Sequence, residues 1–147
     1  MRRGIEPTRI GVKNRIGSAI TRFDDTMDHT LMPGIGVCYV PSSSPTKLRT
    51  GIRQVAELAA NRQTRVDATA CLVRHTKKWK AAHGGPRSID SHLNTLRVDR
   101  TALEGISAMV VIDDITTTGN SLRACRQLLL DARVHCVRML ALGQTVP

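Results

Sequence analysis

Aromatic side chains are nearly absent: Phe23, Tyr39 and Trp79 make up 2% of the 147 residues. A surface that reads RNA or single strands by stacking several bases on aromatic platforms fits that supply poorly. The core has to be assembled from Val, Ile, Leu, Ala and Met instead. The cysteines also lack a pattern. Cys38, Cys71, Cys125 and Cys136 stand far apart, with no CxxC pair and no HxxxH partner, so neither a zinc site nor a redox dithiol is spelled out. Buried free thiols of a cytoplasmic protein are the expectation. His75, His83 and His92 show no zinc spacing and are read as surface or structural residues. No apolar run reaches the roughly 20 residues of a membrane span, and Arg2-Arg3 is not followed by the apolar core of a secretion signal. A membrane partner is not expected.

Acidic residues are scarce beside basic ones, 12 against 22, for a formal net charge of +10. An anionic partner follows from that balance, but a phosphorylated small molecule and a nucleic acid would both be attracted. A hydrophobic share of 41% and a charged share of 23% exclude wholesale disorder. The length suits one compact domain.

Apolar periodicity divides the chain. Residues 8–23 place Ile10, Ile16, Ala19, Ile20 and Phe23 at near-helical spacing. Residues 1–34 are therefore read as an N-terminal helix and connection, serving as a hood over a site or as a dimer element, and 35–147 as the main domain. Residues 35–40 form an apolar run suited to a buried strand, and a loop follows at 41–47. Residues 51–62 are in helical register, with the Thr50 hydroxyl placed to cap them. A second strand is expected over 67–73. Residues 74–87 lose periodicity, gain Lys77, Lys78 and Lys80, and read as a mobile loop. A helical turn within 87–94, a short strand at Leu96 and Val98, a clear strand at 108–112, a helix over 119–132 and a last strand over 134–142 complete the pattern. Strands alternating with helices predict an α/β fold, a mainly parallel sheet with helices on both faces.

The stretch VVIDDITTTGNSL, residues 110–122, concentrates the chemistry. A strand, the pair Asp113-Asp114, a hydroxyl-rich turn and a helix put two carboxylates and a phosphate cradle at the carboxyl end of one strand, where open α/β sheets bind ligands. Thr116, Thr117, Thr118 and Ser121 offer hydroxyl donors. Gly119 permits close backbone approach, and the following helix aims its free amides and dipole at an anion. Two adjacent acids would repel a bare phosphate unless ribose hydroxyls or a divalent metal lie between. A sugar phosphate is the ligand class that satisfies both halves.

This stretch resembles the ribose-phosphate signature of the type I phosphoribosyltransferases. Val40-Pro41-Ser42-Ser43 resembles their diphosphate-binding loop. Residues Arg49, Gly51, Gln54, Glu57 and Ala59, with Arg74, Thr76 and Arg87, resemble the competence protein F-like, amidophosphoribosyltransferase-like branch. The resemblance spans residues 35–142. It implies a cytoplasmic, magnesium-dependent glycosyltransferase of nucleotide metabolism that binds 5-phosphoribosyl-1-diphosphate and passes the ribose phosphate to a base or amine acceptor. Asp113 and Asp114 would face the ribose hydroxyls and the Mg2+. Ile115, Thr116, Thr117, Thr118, Gly119, Asn120 and Ser121 would hold the 5-phosphate. Ser42, Ser43 and Lys47 would lie near the diphosphate, and the basic loop would bring Lys78 and Arg87 to the reacting centre. Relatives that salvage hypoxanthine and guanine carry an acid where Thr117 stands, which argues against a 6-oxopurine acceptor. The alternative, drawn from the net charge and from the resemblance to DNA-uptake proteins, is a non-catalytic nucleotide-sensing or nucleic-acid-linked module on the same fold.

Overall fold

A computed structural model of the chain describes residues 34–61, 65–78 and 88–145. The expected helix over 8–23, Trp79, His83 and Arg87 lie outside the described residues. In chain order the elements are β1 (Ile35–Tyr39), α1 (Gly51–Ala60), β2 (Arg65–Asp67), β3 (Leu72–Arg74), α2 (Ile89–Leu93), β4 (Leu96–Val98), a 3-10 turn (Arg100–Leu103), β5 (Ala108–Thr116), α3 (Asn120–Asp131) and β6 (Cys136–Gln144). Four strands form one sheet in the order β2-β1-β5-β6, every pair parallel. β3 and β4 pair antiparallel in a separate two-stranded sheet.

The period of two along each strand sorts the core into two layers. Ile35, Val37 and Tyr39 of β1 and Ala108, Val110 and Ile112 of β5 pack with Ala56, Ala59 and Ala60 of α1. The alternate residues Cys38, Val40, Met109 and Val111 pack with Leu122, Cys125 and Leu129 of α3 and with Leu72 and Leu96 of the small sheet. Helices therefore cover both faces of the parallel sheet. Leu, Val, Met, Cys and Ala do the filling, as the shortage of aromatics requires, and Tyr39 is 5% exposed. Gly36 has a specific reason to be glycine: a Cβ there would stand 2.9 Å from both Ile106 Cγ2 and Met109 Sδ. Cys38, Cys71 and Cys125 are buried free thiols and Cys136 is a half-buried one.

Local chemistry explains where elements begin and end. Thr50 caps α1 by accepting from the Arg53 amide at 3.2 Å. The strand expected over 67–73 is instead two, β2 and β3. The Asp67 carboxylate accepts from the Thr69 amide at 2.9 Å and its hydroxyl at 2.6 Å, and the Cys71 amide bonds Ala68 O at 3.0 Å. A side chain that bonds its own downstream backbone offers a turn in place of a ladder. β6 starts two residues later than the expected 134–142. Arg133 adopts φ 76°, and the amides of Ala132, Arg133 and Val134 cap the carbonyls of α3 before the strand can form. No helix among the described residues is long and apolar enough to cross a membrane.

Candidate functional site

The sheet order places the site. From β1 the chain crosses to β2 on one side, and from β5 it crosses to β6 on the other. The connections therefore part between β1 and β5, and a crevice opens beyond the carboxyl ends of those two strands. A cleft of about 1000 Å3 lies there. Its walls are the loop after β1 (Val40, Pro41, Ser42, Ser43, Lys47), the start of α1 (Arg49, Thr50, Gly51), Arg74 and Lys78, His92 of α2, and Asp113, Asp114, Ile115, Thr117 and Ser121.

β5 runs four residues further than the expected 108–112, through both acids to Thr116. The ladder with β6 sustains it: Asp113 pairs with Ala141 and Thr116 with Gln144. Because the acids sit on a strand, alternation sends them to opposite faces. Asp113 turns toward α3, is 7% exposed and accepts from Ser121 Oγ at 3.0 Å and the Asp114 amide at 2.9 Å. Burial pushes its pKa up to about 6, against the pull of the Ser121 and Asp114 hydrogen bonds. Asp114 is exposed, and its Oδ1 accepts from the Ile115 amide at 2.7 Å. One acid is thus half desolvated and held, while the other reaches into solvent at the cleft.

The turn after β5 has the geometry of a cradle. Gly119 stands at the N-cap of α3 with φ 76°, a left-handed conformation that side chains disfavour, and α3 opens its first amides there. The hydroxyls are arranged differently from the expectation that all four face a phosphate. Thr116 Oγ1 is sealed from solvent without a partner. Thr118 Oγ1 accepts from the Asn120 amide at 3.3 Å, and Asn120 Oδ1 accepts from Arg123 at 3.4 Å. Thr117 Oγ1 accepts from Thr145 at 3.0 Å, and Ser121 donates to Asp113. Thr117 and Ser121 line the cleft; Thr116, Thr118, Gly119 and Asn120 frame the turn behind it. The hydroxyls of Thr117, Thr118 and Ser121 are therefore engaged within the turn and its neighbours.

Arg74 organises the opposite wall. It is 5% exposed, far from the mobile-loop character expected of it. Its Nε donates to Ser42 O at 3.0 Å, its Nη2 to Pro41 O at 3.3 Å, and its Nη1 to Thr95 Oγ1. The Lys78 amide adds a bond to Ser43 O at 2.8 Å. The Ser42-Ser43 loop is therefore clamped by the segment that follows β3, although residues 43 and 78 are remote in sequence. Burial lowers the pKa of both Arg74 and Lys78, and Arg74 lowers that of Lys78 further.

The chain matches no known family model and no curated protein.

Of the residues singled out in the sequence, Ser42, Ser43, Lys47, Lys78, Asp113, Asp114, Ile115, Thr117 and Ser121 line the cleft, and Thr116, Thr118, Gly119 and Asn120 do not. Sequence reasoning missed His92, read as surface or structural, which is half-buried in the same wall. The signal that could have found it is the short capped turn: Ser88 accepts from the Ser91 amide at 3.3 Å and fixes α2 beside the cleft. Among the described residues no group of three or more His, Cys, Asp or Glu side chains could hold a metal ion. A magnesium site needs no such group, since that ion takes one or two carboxylates and completes its shell with ligand oxygens and water. Asp114 is the side chain with an oxygen to spare.

Proposed function

We propose that the protein is a phosphoribosyltransferase of the type I kind, which binds 5-phosphoribosyl-1-diphosphate and transfers its ribose phosphate to a nitrogenous acceptor with release of diphosphate. One observation carries the reading. The carboxyl end of β5 delivers two adjacent acids, one buried and one exposed, beside a left-handed glycine turn and a helix N-terminus, at the point where the sheet's connections part.

The 5-phosphate has its partner in the amides at the start of α3, where the turn and the helix dipole favour an anion. Asp114 accepts from a ribose hydroxyl, and Asp113, once ionised, does the same from the other side of the strand. Carboxylates beside the ribose also favour the positive charge that builds on the sugar as the bond to diphosphate breaks. Ser42, Ser43, Lys47 and Lys78 receive the departing diphosphate, with the loop backbone held still by Arg74. Asp114 would hold magnesium together with oxygens of the ligand, where the ion would supply positive charge to offset that of the leaving group.

Titration calorimetry with 5-phosphoribosyl-1-diphosphate and magnesium tests this. The wild type binds, and the double variant Asp113→Asn, Asp114→Asn binds far more weakly. Equal affinity in the two proteins would overturn the proposal. A screen of nucleobases and amines for diphosphate release then identifies the acceptor.

A further inference from the structure

Where His92 meets Arg74 and Lys78 the cleft wall is cationic, and no acid among the described residues acts on Lys78 or His92. Arg53 pairs with Glu57 outside this corner. The groups acting on His92 are Lys78 and Arg74, and the charge acting on Lys78 is Arg74. Positive groups gathered in a part-desolvated wall without a carboxylate are a site shaped for an anion.

His92 is fixed there by its backbone. Its carbonyl accepts from the Thr95 amide at 3.1 Å and from Thr95 Oγ1 at 3.2 Å, and Thr95 Oγ1 also accepts from Arg74. The imidazole and the guanidinium thus share one post, and the guanidinium holds the loop carrying Ser42. The ring's Nδ1 is sealed from solvent and has no partner. Buried N–H groups without an acceptor are rarer than under-used acceptors, which favours a lone pair on Nδ1 and the proton on Nε2 of a ring that lines the cleft. Burial and the two neighbouring cations hold the pKa down to about 4, so the ring is neutral and carries that one proton at pH 7.

We propose that His92 is a ligand-binding residue on the diphosphate side of the cleft, donating a hydrogen bond from Nε2–H to an anionic oxygen held between the Ser42-Ser43 loop and Lys78. The inference rests on the phosphoribosyl reading for the identity of its ligand and on the geometry of this corner for the contact. It assigns His92 to the diphosphate and not to the 5-phosphate, which lies at the start of α3.

Three ligands separate the possibilities: inorganic diphosphate with magnesium, 5-phosphoribosyl-1-diphosphate with magnesium, and ribose 5-phosphate. His92→Ala is expected to weaken the first two by roughly tenfold, the effect of one hydrogen bond to a charged group, and to leave ribose 5-phosphate unchanged. His92→Gln, whose amide keeps a donor near the Nε2 position, recovers part of the loss. In the wild type, the His92 ring signal in a 1H–15N spectrum shifts with inorganic diphosphate and not with ribose 5-phosphate. Unchanged diphosphate affinity in both variants, equal loss for all three ligands, or failure of the wild type to bind any diphosphate overturns the inference. If inorganic diphosphate binds through His92 while neither ribose ligand binds, the phosphoribosyl reading falls and the role of His92 stands. If 5-phosphoribosyl-1-diphosphate binds equally well without His92, the reverse holds.

Discussion

Asp113 and His92 make opposite contributions to stability over the same range of pH, and single substitutions should pull them apart. Asp113 is raised from 3.8 to about 6, mainly by burial. Between those values the folded state binds more protons than the unfolded one, so its contribution is fully present below pH 4 and is lost as the pH rises through 6. About two units at 1.36 kcal/mol each gives a loss of about 3 kcal/mol. His92 is lowered from 6.5 to about 4. Here the unfolded state binds the extra proton, so stability is gained as the pH rises from 4 to 6.5. The ring meets the open cleft, so solvent screening reduces the full shift to about 1–2 kcal/mol. In the wild type the two terms partly cancel. Urea unfolding at pH 4, 5, 6 and 7, without metal or ligand, exposes them. Asp113→Asn should gain about 3 kcal/mol relative to wild type between pH 4 and 7, on top of a constant loss of about 1 kcal/mol for a lost acceptor. His92→Gln should move the other way, by about 1–2 kcal/mol. A difference between Asp113→Asn and wild type that is flat across this range would falsify the claim that the Asp113 carboxyl is desolvated at the strand end.

Three further outcomes follow from the packing. Gly36→Ala pushes a methyl into Ile106 and Met109; overpacking of this kind costs about 1–3 kcal/mol, and an unchanged urea midpoint would show that Met109 yields freely. Arg74→Met leaves Ser42 O, Pro41 O and Thr95 Oγ1 without their charged donor, so stability should fall by about 2–3 kcal/mol, with a parallel loss of diphosphate affinity by calorimetry. Burial pushes the Cys125 thiol up to about 12 and the Cys38 thiol well above its usual value; an aromatic disulfide reagent should therefore label neither in the native protein, and rapid labelling of either by mass spectrometry would contradict their burial.

Residues 35–40, 51–60 and 119–132 announced their elements because each buries a face with a clean period: continuous apolar residues for a strand covered on both sides, and a three-to-four spacing for helices with one wet side. The acid pair and Thr-Gly turn were equally legible, since the carboxylates, hydroxyls and glycine stand next to one another in the chain. The same local reading placed the acids after a strand. They lie within it instead, because β5 gains its last four residues from pairing with β6, a contact some 28 residues away in the chain. That extension splits the acids between faces and buries Asp113, so its raised pKa was beyond the reach of any window of sequence.

By itself, the sequence determined that the chain folds as alternating strands and helices around a small-residue aliphatic core, and that an acid pair and then a hydroxyl-rich turn follow the apolar part of β5. Periodicity and local turn chemistry are short-range properties, and they are written in neighbouring residues. Only the tertiary structure decided that the connections part between β1 and β5, that Arg74 leaves the surface to brace the Ser42-Ser43 loop, and that His92 joins the cleft. Those outcomes depend on which strands become neighbours and on how burial changes the cost of a charge, and both are set by residues far apart along the chain.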